Sequence, residues 1–137
     1  MQPGNFPIQG QLSPQSIAAA ANATSTYVDV QNAETWQVTL LAGVLGGGTA
    51  TFSFVQAQDS TGTGAKALTV SGVTLTAMAT NNKTQEVQFT NEVLAAGLDQ
   101  AGGFGYFAVK CAIAAGTGSL VAAAISGGDM RYSGSSA

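Results

Sequence analysis

The sequence TWQVTL, residues 35–40, alternates polar and apolar side chains without interruption. Because successive side chains of a β-strand point to opposite faces of its sheet, this period of two predicts a strand with one buried face. The pattern recurs and predicts about eight short strands in all, separated by turns rich in Gly and Asn. The other segments are residues 27–30, 50–55, 66–70, 73–77, 87–89, 107–113 and 120–125. Since no helical crossover connects them, the sequence predicts an all-β fold, an antiparallel β-sandwich that is jelly-roll-like.

Two segments depart from simple alternation. Residues 91–98 (NEVLAAGL) begin with an N-cap candidate, Asn91, and approach a glycine, Gly97, that is typical of a helix end. They predict a single helical turn. Residues 120–125 (LVAAAI) are apolar on both faces, which favours a strand that is central in its sheet or covered by a partner.

The N-terminal segment differs from the rest in composition. Residues 1–24 contain all three prolines and show no strand period, so they predict an extended N-terminal arm. The chain is thus divided into this arm, a β-sandwich domain at 25–128 and a Gly/Ser-rich C-terminal tail at 129–137. Spaced apolar residues in the arm are expected to dock on a neighbouring subunit; they are Phe6, Ile8, Leu12 and Ile17.

Charged residues are scarce. The 137 residues include seven acidic and four basic groups, or 8%, whereas soluble domains usually carry about 25%. Two explanations remain open: neutral hydroxyl and amide groups solvate the surface, or other subunits cover much of it. Because interface cores are depleted in charge, we favour the second explanation.

The composition also argues against several functions. A net charge of −3, with the basic residues scattered, argues against nucleic-acid binding. There is no histidine, and the single cysteine, Cys111, excludes an intrachain disulfide and a Cys-rich zinc site; its apolar surroundings predict a buried, unreactive thiol. No apolar run approaches the roughly 20 residues that cross a bilayer, and no basic residue precedes residues 17–21 as a signal peptide requires.

No motif in the sequence supports catalysis or cofactor binding. Residues 62–67 (GTGAKA) match the G-x-G-x-x-A dinucleotide fingerprint, but the residues that follow predict a strand where that motif needs a helix. Without histidine, a serine nucleophile would need Lys66 or Lys83, and both lie in or beside turns. Nothing in the spacing of Glu86, Glu92 and Asp99 places two carboxylates together. We therefore expect no enzyme activity, cofactor or metal.

Four short segments carry a resemblance to a known family. They are VDVQNAET at residues 28–35, QDSTGTGAKA at 58–67, Leu98-Asp99 with Gly103-Phe104 before a long strand, and GGDMRY at 127–132. In this order the chain resembles small proteins encoded beside the major capsid protein in tailed bacteriophages and prophages. The likeness spans about residues 25–132 and leaves out the arm.

The resemblance implies a capsid decoration (cement) protein with a jelly-roll-like sandwich, located in the virion and assembled in the host cytoplasm. Its partners would be the major capsid protein and its own copies, as a homodimer or homotrimer, with no nucleic acid and no membrane. Arg131 and Tyr132 join the four arm residues as expected interface residues, or they pin the tail to the domain. The alternative is a carbohydrate-binding or adhesion module of a phage tail or cell surface. A head–tail connector is a third possibility.

Overall fold

The computed structural model describes residues 8–18, 21–114 and 119–130. Of the six residues that the sequence assigns to an interface, Phe6, Arg131 and Tyr132 lie outside these described residues. The strands are β1 (Ile8–Ile17), β2 (Asn22–Thr24), β3 (Val28–Asp29), β4 (Ala33–Ala42), β5 (Thr49–Ala57), β6 (Lys66–Leu68), β7 (Lys83–Thr90), β8 (Tyr106–Ala114) and β9 (Ser119–Met130), and the helix α1 is Asn91–Gly97.

The strands form two antiparallel sheets. Sheet A has the order β1-β9-β4-β7, and sheet B has the order β2-β8-β5-β6, with β3 also paired to β8. The predicted all-β antiparallel sandwich is confirmed, while the finer jelly-roll topology stays a prediction. The all-apolar segment at residues 120–125 lies in β9, between β1 and β4, which confirms that it belongs to a central strand.

The core lies between the sheets and contains the apolar positions of the alternating segments. Trp36 of β4 packs edge-to-face on Phe107 of β8, with ring centroids 5.0 Å apart. Its indole Nε1 donates a hydrogen bond of 3.0 Å to Oδ1 of the buried Asn91. The predicted helical turn is confirmed as α1, but its N-cap is Thr90, whose hydroxyl accepts from the backbone N–H of Val93. Asn91 instead faces inward, because it satisfies the buried indole.

The prediction of a separate arm is wrong for the described part of residues 1–24. Residues 8–17 form β1, which pairs with β9, and residues 22–24 form β2, which pairs with β8. Leu12 and Ile17 are only 3% and 4% exposed, so they belong to the core of this domain rather than to an interface. Pro14 and two irregularities in the β1–β9 register hide the strand period. An edge strand tolerates both features because one side of it makes no ladder.

The predicted strand at residues 73–77 is also wrong. This segment forms no ladder, and it is followed by an isolated bridge between Met78 and Ala50 of β5. Val73 and Leu75 are partly buried against the core. These alternate apolar residues therefore pack against the core from a loop and not from a strand. The neighbouring part of β5, Phe54 to Gln56, is paired with β6.

Candidate functional site

The outer face of sheet A is nearly free of charge. Among its outward-facing positions in β4 and β7 and the described ones in β9, Glu86 alone is ionised. Glu86 pairs across the ladder with Thr39, which itself pairs with Ala124 of β9. The other outward residues are mainly threonine, glutamine, alanine and leucine. This face therefore reproduces locally the low charge of the whole sequence.

Large apolar side chains are exposed on the same face and, in the case of Val44, in the loop that follows β4. Their exposed fractions are 59% for Ile8, 42% for Leu41, 59% for Val44 and 47% for Leu120, and these are the large exposed hydrophobic residues of the described chain. We call these four, together with Ala122 and Ala124, the apolar stripe. A single exposed leucine needs no explanation, but a contiguous group on one face is typical of an interaction surface.

Backbone pairing fixes the members of the apolar stripe side by side. Leu41 lies directly opposite Ala122 in the β4–β9 ladder. Beyond the end of that ladder, Leu120 donates its N–H to the carbonyl of Val44 and accepts from the N–H of Gly43, both at 2.8 Å. Because these bonds join β9 to the loop after β4, Leu120 and Val44 are neighbours.

Ile8 completes the stripe at the other side of β9. It lines a hollow of about 210 Å³ with Leu41, Ala122, Ala124 and Pro14, among others. Of the predicted interface residues that the structure describes, Ile8 is exposed on this surface, while Leu12 lines the same hollow but is buried. Leu41, Val44 and Leu120 were missed. A signal for two of them was present, since Leu41 follows another leucine within a strand and Leu120 opens the segment that is apolar on both faces.

The outer face of sheet B has different chemistry. Lys110 of β8 lies directly between Thr24 of β2 and Ser53 of β5. These three residues line a groove of about 330 Å³ together with Tyr27, Lys66 and neighbouring apolar residues. Of the four basic residues of the chain, Lys110 lies on this face and Lys66 lines its groove.

Lys66 is held at the rim of that groove. Its Nζ lies 2.7 Å from Oδ2 of Asp99 and 4.4 Å from the centre of the Phe104 ring. The hydrogen bond from Lys66, and a further one from the backbone of Gly102, lower the pKa of the Asp99 carboxyl. Asp99 is thus engaged in an ion pair with Lys66.

The residues that resemble a nucleotide-binding loop form a structural turn. Gly62 and Gly64 have φ angles of 91° and 67°, and β6, a strand, follows at Lys66. Asp59 organises the turn: its carboxylate accepts from both the backbone N–H and the hydroxyl of Thr61 and of Thr63. The hydrogen bonds from Thr63 and Thr61 hold the pKa of Asp59 far below its usual range. Both carboxylate oxygens of Asp59 therefore already accept hydrogen bonds within this turn.

Reactive and metal-binding groups are not gathered elsewhere in the described chain. Cys111 is fully buried, and the burial raises the pKa of its thiol to about 11, so the predicted buried cysteine is confirmed. Across residues 8–18, 21–114 and 119–130, no three His, Cys, Asp or Glu side chains come close enough to bind a metal ion. No helix among these residues is long and apolar enough to cross a membrane.

The tryptophan and the described phenylalanines do not form a sugar-binding platform, although the half-buried Tyr27 lines the groove on sheet B. The candidates for such a platform are all buried in the sandwich: Trp36, Phe52, Phe54, Phe89, Phe104 and Phe107. Stacking on a sugar needs an exposed ring face, which these residues lack. Comparison with known proteins gives no assignment either, since no protein-family model and no curated protein matches the chain.

Proposed function

We propose that this chain is a virion structural protein, a capsid decoration (cement) protein that binds a capsid shell through the outer face of sheet A. The observation that carries this proposal is the apolar stripe, in which the large exposed hydrophobic residues of the described chain lie on one nearly uncharged face or, for Val44, in the loop at its end. The proposed partner, the major capsid protein, follows from the resemblance of four sequence segments to phage decoration proteins.

The physical argument concerns burial without a charge penalty. Apolar area gains about 25 cal/mol per Å² when it leaves water, whereas an ionised group must be desolvated or paired. A face with one carboxylate, Glu86, at its edge strand can therefore be covered at little electrostatic cost. On a symmetric shell many copies bind at once, so a modest affinity per copy is sufficient to reinforce contacts between capsid subunits.

The strand order also supports a jelly-roll topology as part of this proposal. Successive parts of the chain alternate between the sheets: β1 is in sheet A, β2 and β3 are in sheet B, β4 is in sheet A and β5 is in sheet B. After β6 the chain crosses back with β7, then β8, then β9. Such winding places β8 and β9 between earlier strands, as expected when a long antiparallel ribbon is rolled into two Greek keys.

The alternative, a carbohydrate-binding module, has weaker support. The sheet B groove offers hydroxyl and ammonium donors and the half-buried ring of Tyr27, but the tryptophan and the described phenylalanines are buried. A glycan array separates the two functions. Reproducible glycan binding that is lost on Lys110→Met, with no binding to capsids, would replace our proposal with the alternative.

The direct test uses capsids assembled without the decoration protein. We expect Leu41→Gln combined with Leu120→Gln to weaken capsid binding. Each leucine is about half exposed, so covering it contributes roughly half of the 1.5–3 kcal/mol for full burial, or ~2 kcal/mol for the pair. This corresponds to a loss of about 30-fold in affinity. Occupancy is measured by co-sedimentation and by electron microscopy of the particles.

A control variant introduces two glutamines at exposed apolar positions of the opposite face. Ala112 and Ala114 are exposed on the outer face of sheet B, and replacing both with glutamine should leave occupancy unchanged. If the sheet A variant remains folded and still saturates the capsids at the concentration that the unmodified chain requires, the apolar stripe is not the contact. If the unmodified chain does not bind capsids at all, the proposed function is wrong.

A further inference from the structure

Within the described residues the sandwich has four strand edges, and three of them are protected against pairing with another chain. β1 contains Pro14 and two register irregularities. β6 is three residues long, and the edge formed by β2 and β3 consists of pieces of three and two residues. Short strands, bulges and proline are the usual means by which edges are kept from unwanted pairing.

The fourth edge, β7, is neither short nor bulged and contains no proline; it carries the charged residues Lys83 and Glu86, and the loop at residues 76–80 lies beside its first part. β7 is eight residues long, contains no glycine, and pairs with β4 in an unbroken register from Thr90 to Lys83. In an antiparallel pair, alternate residues direct their N–H and C=O groups away from the partner. Within the described chain, residues 83–89 make no backbone hydrogen bond outside the β4 ladder. These outward groups form a regular row that another strand can use.

We propose that β7 pairs antiparallel with β7 of a second copy of this chain, about a two-fold axis at Gln88. Antiparallel pairing of one strand with its own copy is self-complementary, so it closes as a dimer and leaves no open edge for further growth. The two sheets A then join into one continuous sheet of eight strands.

Charge and neighbouring structure set the position of the axis. An axis at Glu86 would place that carboxylate opposite its own copy, which is unfavourable. Pairing at and before Gln85 would meet the loop at residues 76–80, because Thr76 donates its N–H to the side chain of Gln85. At the other end, α1 begins at Asn91. An axis at Gln88 pairs residues 86–90 alone, and it places Glu86 opposite Thr90 of the second copy.

The geometry has a consequence for shell binding, and this step rests on the proposed function. A two-fold axis between antiparallel strands of one sheet is perpendicular to that sheet, so both outer faces of sheet A point the same way. The two apolar stripes therefore meet one capsid surface together. Each dimer would attach at two points, which raises its apparent affinity without a new kind of contact.

Cysteine cross-linking of the purified full chain tests the dimer without any capsid. Directly opposite residues of an antiparallel pair have Cα atoms about 4.5–5.5 Å apart, a separation that a disulfide can span. Under mild oxidation, Gln88→Cys should form a covalent dimer at least tenfold faster than two controls, Thr84→Cys on the same strand and Gln11→Cys on the opposite edge. All three positions are exposed, and the native Cys111 is buried.

Sedimentation equilibrium supplies a second measurement that needs no oxidant. The unmodified chain should show a monomer–dimer equilibrium, and Gln88→Lys should raise its dissociation constant about fivefold by placing two like charges in direct opposition. Gln11→Lys should leave that constant unchanged. The inference is overturned if Gln88→Cys cross-links no faster than the controls, or if Gln11→Lys weakens the dimer while Gln88→Lys does not. Either result leaves capsid binding by the monomer unaffected as a separate question.

Discussion

Replacing Asn91 with alanine tests how α1 is fastened to sheet A. Oδ1 of Asn91 accepts the indole N–H of Trp36 at 3.0 Å, and both residues are buried. The substitution leaves that N–H without a partner in the core. An unpaired buried donor costs about 1–3 kcal/mol, and the higher helix propensity of alanine offsets roughly 0.5 kcal/mol of this.

The expected net loss is ~1.5 kcal/mol in the free energy of unfolding. With an unfolding entropy of about 2.1 cal/mol/K per residue, a chain of this length should lose ~5 °C in Tm. The measurement is thermal or urea unfolding followed by circular dichroism. Fluorescence of the single tryptophan, Trp36, reports the same transition in the Asn91→Ala variant, because its ring is shielded from water only in the folded state.

A double-mutant cycle with Trp36→Phe identifies the hydrogen bond as the cause. Phenylalanine keeps an aromatic ring against Phe107 but has no N–H to donate. In that background, Asn91→Ala should cost about 1 kcal/mol less than it does in the unmodified chain. An equal cost in both backgrounds would refute this reasoning, since the loss would then come from packing or from the helix itself.

Three further predictions concern the same domain. Gly97→Ala should lower stability by ~1–3 kcal/mol in urea unfolding, because the added Cβ would collide with the carbonyl oxygen of Thr69; Gly105→Ala, which meets nothing, is the control, and equal stability of the two variants would contradict the collision. Cys111 should resist Ellman's reagent at about pH 8 until the chain is unfolded, because burial raises the pKa of its thiol to about 11; rapid reaction of the folded protein would be the contrary result. Asp59 has a folded-state pKa below its ordinary value of 3.8, so its stabilising contribution is present above that value and is lost as the pH falls through the folded value. The Tm difference between the unmodified chain and Asp59→Asn should therefore shrink on acidification from about pH 6 to about pH 2, and a difference independent of pH would show that the carboxylate charge is not involved.

The alternation of apolar and polar residues predicted the long strands, because one face of each strand is buried and requires apolar side chains. From Trp36 to Ala42 in β4 and from Phe107 to Ile113 in β8, each inward position is apolar and buried, so the period of two survives in the sequence. The sequence did not predict β1, because its side chains do not alternate strictly. Pro14 and the register irregularities move its side chains out of strict alternation, while pairing with β9 is a contact between distant parts of the chain that no local pattern encodes.

The loop at residues 73–77 shows that alternate apolar residues predict partial burial more reliably than strand pairing. Val73 and Leu75 do contact the core, but strand formation depends on an available edge. The inward turn of Asn91 has a similar origin, since its partner Trp36 lies on another element. The sequence predicted the apolar stripe only in part. The apolar segment of β9 indicated a central or covered strand, but the register between β4 and β9 determines which outward residues of β4 lie beside it.

The position of β9 has a consequence for synthesis on the ribosome. Leu12 in β1 pairs with Ala123 in β9, and Val38 in β4 pairs with Ile125 of the same strand. Until residues 119–130 have left the exit tunnel, β1 lacks its ladder partner β9, and β4, paired with β7 on one side, has its other side unpaired. Sheet A must therefore close after translation of this strand, in a slow step dominated by contacts distant in sequence. A nascent chain that stalls before β9 would present two incomplete edges to chaperones and proteases.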